Sequence, residues 1–389
     1  MFRISNILRL AWRWYARVVK GVTDSPRKIG RPGNLFLALM VVAAIAAVAY
    51  ADFIVQTISL GYLYLLPLAM CGFVFRLRIS LLLVLLCFLL QDWLGPFAHY
   101  GWEHFARNLV TLAAFVTVVL VVDHLTGQRR QLSKLVRQQR DELAREIETG
   151  AQVQKRLLPS RAPAINGFDI AGRMVAARTV GGDYFDYLEL PAGHLGLAIA
   201  DVSGKGVSAA LLMSSVKMAL SAGAPGALST DRALRNLNRS FYEITEADRY
   251  VTLFYGNLDP AQGLLEYTNA GHLPPLLFHR ATGEIEWLEA GGTVIGLFPG
   301  AEYQCGQAWL KPGDTLVLYT DGVTEATNAA GEEFAIERLA EKVRESFTDS
   351  AKQLLESIYN AVHTFRGTSV LEDDLTLVVV RALERPNLP

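Results

Sequence analysis

Between Leu35 and Val122 the chain holds only six formally charged residues, Asp52, Arg76, Arg78, Asp92, Glu103 and Arg107, set between or near the ends of apolar runs. A block of this kind avoids water and rules out one small soluble domain. The 389 residues suggest two or three units, and the charged fraction of 19% falls below the roughly 25% of ordinary soluble proteins. The charges punctuate four membrane-crossing helices, at about 34–51, 53–75, 79–97 and 106–122. The second is the clearest, because Phe53 to Phe75 carries no charge.

Orientation follows from the short flanks. Eight Lys or Arg precede the first span, Arg76 and Arg78 separate the second from the third, and Arg129 and Arg130 follow the fourth. With four crossings all three clusters fall on one side, which is the cytoplasm, and so does the large C-terminal part. Residues 1–34 therefore read as a basic cytoplasmic segment and 35–122 as a membrane domain in contact with lipid. Within 1–20, Arg9, Arg13, Arg17 and Lys20 recur at helical spacing. They fit an interfacial amphipathic helix or an ordinary basic flank equally well. Ala49-Tyr50-Ala51 resembles a signal-peptide cleavage site, but the basic leader before it is too long for most signal peptides. The aromatic stretch His99 to His104 reads as an interfacial belt in preference to a metal sensor.

Residues 123–159 are rich in Gln, Arg and Glu and have no proline before Pro159. A seam alternating by four and three residues from Leu125 to Leu157 is apolar at six of ten positions: Leu125, Leu132, Val136, Leu143, Val153 and Leu157. That pattern predicts a coiled-coil signalling linker and a homodimer through it, weakened in the middle by Gln139, Glu146 and Gly150. Pro159 and Pro163 end the helix and set a boundary near 160.

Residues 160–389 change character, with apolar runs of strand length alternating with turns and helical stretches. Strands are expected at 195–201, 251–258, 264–268, 315–319 and 375–380, and helices at about 205–221, 230–246, 333–346 and 350–365. Hairpin-like neighbours around Asp259 to Gly263 point to antiparallel sheets. Asp201 and Asp321 end apolar runs, Asp373 and Asp374 immediately precede one, and Asp183 follows two glycines. Carboxylates brought together there would repel one another unless cations neutralise them, and an oxygen-only ligand set selects Mg²⁺ or Mn²⁺. Cys71, Cys87 and Cys305 have no paired spacing and read as buried thiols. The acidic balance of 161–389, with 29 Asp and Glu against 18 Lys and Arg, disfavours nucleic acid as a partner.

VGGDYFD (180–186), ADVSGKGVSAALLM (200–213), NAGHLPPLL (269–277), YTDGVTEA (319–326) and EDDLTLVVV (372–380) resemble, in order, the motifs of the SpoIIE-like branch of the PPM metal-dependent serine/threonine protein phosphatases. EIETGAQVQKRLLPS (146–160) is similar to the helical leader of such domains. The resemblance implies an α+β fold, an αββα sandwich of two antiparallel sheets flanked by helices, with a two-metal centre at one edge. It implies Asp183, Asp201, the Val202 carbonyl, Asp321 and Asp373 as ligands of two Mn²⁺ or Mg²⁺ ions, with Asp201 bridging. Asp374 and Asp186 are implied as supporting residues. The reaction implied is attack of an activated water on the phosphoserine or phosphothreonine of a bacterial signalling protein, an anti-sigma-factor antagonist being the substrate to expect. Together with the four expected crossings and their basic flanks, the resemblance places the chain in the bacterial inner membrane, multi-pass, with the catalytic domain in the cytoplasm.

Weaker expectations attach to other motif residues. Lys205, between Gly204 and Gly206, is placed to assist phosphate binding at a helix start. His272 either protonates the leaving serine or orders the turn that begins at Asn269. Gly322 allows close backbone approach. Arg173 and Arg178 are the arginines nearest the motifs. The rival readings are a non-catalytic membrane receptor whose phosphatase-like domain binds a partner, and a metal-dependent phosphodiesterase or nuclease, which the acidic surface disfavours.

Overall fold

A computed structural model of the chain describes residues 32–55, 60–94, 102–226, 229–245, 249–346 and 350–384. The basic segment up to residue 31 and the first half of the aromatic stretch, residues 99–101, lie outside them. The chain divides into two compact units, Met1–Asp141 and Glu142–Pro389.

The first unit contains helices α1 (Pro32–Ile54), α2 (Leu65–Val74), α3 (Leu77–Leu94) and the start of α4 (Trp102–Leu157). Val41, Ile45, Tyr64, Leu68, Cys71, Val84, Cys87, Phe115 and Val119 form its core, while Phe36, Leu39, Leu82, Leu89 and Leu109 face outward. The expected second span is the one that differs. Asp52 does not separate two spans; it lies within α1, is fully buried, and accepts the Leu60 N–H at 2.8 Å. The apolar segment after it forms a short helical stretch, Gly61–Val74, and not a long helix. Glu103 and His104 belong to the first turn of α4, where His104 lies 3.2 Å from Asp92.

In the second unit, one sheet has the order β1 (Phe168–Val175), β11 (Leu375–Ala382), β10 (Thr315–Tyr319), β6 (Leu276–Phe278) and β7 (Ile285–Trp287). The other has β2 (Tyr184–Glu189), β3 (Leu195–Val202), β4 (Val251–Asp259), β5 (Leu264–Ala270) and β8 (Gly291–Gly292), with β9 (Gly306–Trp309) also on β5. Neighbours are antiparallel except for the two-residue β5–β8 pair, which is parallel.

Three apolar layers explain why the central strands are apolar throughout. Leu195, Leu197 and Ile199 of β3 meet Leu316, Leu318, Val378 and Val380 between the sheets. The alternate residues Ala198, Ala200 and Val202 face helices α5 (Val207–Gly223) and α6 (Thr230–Ile244). On the far side, Val317, Tyr319, Leu377 and Val379 face α8 (Ala335–Glu345) and α9 (Ala351–Arg366). Strands covered on both faces cannot alternate polar with apolar residues. The result is a helix–sheet–sheet–helix sandwich. Its α5 is apolar and long enough to be mistaken for a membrane crossing, yet it buries Ala209, Met213, Val216 and Leu220 against the sheet.

Candidate active site at one edge of the sandwich

The sheets place the acidic residues by topology. Asp183 immediately precedes β2 and Asp201 sits near the end of the adjacent β3. Asp321 opens the short helix α7 (Asp321–Thr324) after β10, and Asp373 and Asp374 immediately precede the adjacent β11. One edge thus receives carboxylates from both sheets.

Their electrostatics show the crowding. Burial, then Asp321, Asp373 and Asp374, push the Asp201 carboxyl up to about 7, with Lys205 opposing. Burial and then Asp373 raise Asp321. Asp183 is only 1% exposed, and burial followed by Asp201 raises it strongly. Hydroxyls of Thr320 and Thr376, at 2.7 and 2.6 Å, donate to its Oδ2 and oppose that rise. Neither threonine stands out in the sequence, because Thr at the end of an apolar run reads as an ordinary strand residue.

Two observations match this donor set to hard cations. Asp321 Oδ1 is buried with no hydrogen-bond partner, and such an acceptor is costly unless a cation meets it. A Cβ on Gly182 would lie 3.0 Å from the Val202 carbonyl and 3.6 Å from Asp201 Oδ1, so the missing side chain leaves both oxygens an open cradle. Among the described residues, no group of three or more His, Cys, Asp or Glu is disposed to hold an ion by itself. Few protein ligands per ion, completed by water, is the habit of Mg²⁺.

The remaining residues separate by what they touch. Asp374 accepts the N–H groups of Ala177 and Gly182 at 2.8 and 2.7 Å, so it supports the backbone that leads to Asp183. Asp373 points elsewhere, to Lys205 Nζ at 2.8 Å; the same ammonium donates to the Glu372 carbonyl at 2.9 Å. Gly204 and Gly206 take φ of 95° and 84°, which lets the loop turn Lys205 toward Asp373. Gly322 is required because a Cβ there would run into the Asp374 carbonyl. Arg178 lines the cleft with Gly182, Asp201, Lys205 and Asp373.

Asp186 does not join the cluster. It is buried beside α5, where Lys217 Nζ meets its Oδ2 at 2.5 Å and the Tyr184 hydroxyl donates to the same oxygen at 2.9 Å. Lys217, the one charged residue of an apolar helix, was the available signal. Arg173 is also engaged elsewhere, paired with Glu356 at 2.9 Å and stacked on Tyr359. His272 is buried, with Nδ1 at 2.9 Å from the Thr252 hydroxyl and Nε2 at 3.1 Å from the Tyr319 carbonyl. A carbonyl only accepts, so Nε2 carries the proton, and burial lowers the ring to about 4. Asn269 clamps the same turn, accepting the His272 N–H at 2.7 Å and donating to its carbonyl at 3.0 Å. This neutral histidine braces strands of both sheets. Cys71 and Cys87 are buried as expected, whereas Cys305 is exposed.

The sandwich and its acidic edge define a protein serine/threonine phosphatase of the PP2C class, whose members depend on divalent metal ions. Residues 191–383 match the family described as Stage II sporulation protein E (SpoIIE). Phosphoserine phosphatase RsbU of Bacillus subtilis (strain 168) is 32% identical over 269 residues, 69% of this chain and 78% of that protein. On this relationship the chain belongs to the SpoIIE family. Phosphoserine phosphatase RsbP of the same organism is 31% identical over 188 residues, 47% of this chain and 46% of that protein. The SiaA-PP2C domain of Pseudomonas aeruginosa shares the fold at a TM-score of 0.56 and 20% identity, over 62% of this chain and 98% of that domain.

Proposed function

We propose that the chain is a membrane-anchored phosphatase that hydrolyses phosphoserine or phosphothreonine on a bacterial signalling protein, an anti-sigma-factor antagonist being the substrate class favoured by its likeness to RsbU and RsbP. The observation that carries the catalytic part is the crowding around Asp201, whose carboxyl is raised to about 7 beside an open cradle. Asp183, Asp201, the Val202 carbonyl, Asp321 and Asp373 would hold two Mn²⁺ or Mg²⁺ ions, Asp183 with its Oδ2 anchored by the hydroxyls of Thr320 and Thr376. When bound, such ions supply a nucleophilic water and neutralise charge on the phosphoryl group. Arg178 and Lys205 line the same cleft and bind the phosphoryl oxygens, Lys205 exchanging its contact with Asp373 for the substrate.

Membrane anchoring is supported by α1, α3 and the first half of α4, long apolar helices whose outer faces are exposed. The short Gly61–Val74 stretch is followed at once by Arg76 and Arg78. Those charges favour a crossing there, with four in total and the catalytic unit in the cytoplasm. A reporter fused after residue 78 should read cytoplasmic; a periplasmic signal would mean three crossings. Dimerisation is supported by the seam of α4, where Leu125, Leu132, Val136, Leu143 and Val153 are 55–62% exposed.

The test of activity is release of phosphate from phosphoserine, phosphothreonine and phosphotyrosine peptides by the full-length chain in detergent with Mn²⁺ or Mg²⁺. The first two should be hydrolysed by the wild type and not by Asp201→Ala. Turnover of none, or of phosphotyrosine alone, contradicts the proposal.

A further inference from the structure

Among residues 120–157, the exposed length of α4, one side chain alone is buried, and it is the polar Gln154. A buried carboxamide needs partners for both its ends. Gln154 Nε2 donates to the Gly181 carbonyl at 2.6 Å, and its Oε1 accepts the Gly181 N–H at 3.2 Å. The side chain thus satisfies both backbone groups of a residue that lies outside β2 and has no ladder partner.

Gly181 sits in the segment that shapes the cleft. On one side Asp374 accepts the N–H groups of Ala177 and Gly182; on the other Gln154 holds Gly181. The next residue forms the cradle over Asp201 and the Val202 carbonyl, and the one after is Asp183. Gly181 has no room for a side chain of its own, since a Cβ would strike the Asp374 carboxylate and Met174. Its position is therefore set by its backbone contacts. Leu158, one turn beyond Gln154, packs against both the inter-sheet core and the core under α5.

We propose that Gln154 is a positioning residue. It fixes Gly181–Asp183 so that the cradle and Asp183 keep their register with Asp201, and it makes that register depend on how the last turn of α4 is seated. The kinetic consequence rests on the phosphatase reading; the structural consequence does not.

The experiment compares the full-length wild type in detergent with Gln154→Ala, Gln154→Glu and the exposed control Arg156→Ala. Gln154→Glu keeps an acceptor for the Gly181 N–H but sets an oxygen against the Gly181 carbonyl. Amide hydrogen exchange over 177–183 should accelerate about tenfold in both Gln154 variants, while α9 exchanges as in the wild type. The kcat on a phosphoserine peptide should fall about ten- to hundredfold with KM within about threefold. Arg156→Ala should change neither. Unchanged exchange and kcat in Gln154→Ala would overturn the proposal, as would acceleration throughout the unit, which would make Gln154 a residue of general stability. A wild type without turnover would sink the phosphatase reading, and the exchange result would still decide the role of Gln154.

Discussion

Asp201 carries the sharpest conflict between stability and use. Its carboxyl is raised from 3.8 to about 7 in the folded chain, chiefly by burial and then by three neighbouring carboxylates. A raised acid stabilises the fold fully below its unfolded value and loses that contribution as pH climbs through about 7. The metal-free protein should therefore melt at lower temperature at pH 8 than Asp201→Asn, although the variant has no activity. Equal melting temperatures would remove the charge repulsion. His272 works in the opposite sense. Its ring is lowered from 6.5 to about 4, so stability is complete above 6.5 and falls as pH drops toward 4. His272→Gln should flatten that acid limb of a melting-temperature profile while leaving the neutral pH dependence of kcat unchanged; a lost kinetic limb would make His272 a proton donor after all. At this scale the sequence makes the aspartates visible, because each lies at the border of an apolar run. It hides Gln154 in a connector already rich in glutamine.

The elements divide by how much of their pattern is local. Strands β3, β4, β5, β10 and β11 and helices α5, α6, α8 and α9 are legible because layers on both sides demand unbroken apolar runs or a single apolar face. β1 and β2 are not, since Asp169 and Arg173 interrupt the first and Asp186 the second. Their polar residues are explained by partners far away in sequence: Arg173 meets Glu356, and Asp186 meets Lys217. The stretch 53–75 fails as a continuous helix for a related reason, because Asp52 turns back to cap the Leu60 N–H. The seam of α4 is an element whose partner is a second copy in our reading. Cysteines at Val136 and Leu143 should cross-link into disulfide dimers under mild oxidation, while a cysteine at the off-seam Gln138 should do so far less. Clean monomers from both seam positions would contradict the dimer.

Across the whole molecule, the formal net charge of −1 conceals an ordered segregation of charge. A basic leader precedes a nearly uncharged apolar block, and the acidic sandwich comes last. The apolar block is the most depleted, with six charged residues among 88, against 47 among the 229 of residues 161–389. Five of the 29 Asp and Glu in those residues meet where two sheets deliver carboxylates to one edge, and that convergence is a property of topology that no local stretch contains. The central claim is that these carboxylates act through divalent cations. It is tested most directly by the initial rate of phosphoserine-peptide hydrolysis by the full-length chain after chelation and then on titration with Mn²⁺ or Mg²⁺, in the wild type and in Asp321→Asn. The rate should vanish on chelation, return with either ion in the wild type, and need at least about tenfold more metal in the variant. Hydrolysis that persists in chelator, or a variant that matches the wild type at every metal concentration, would contradict it.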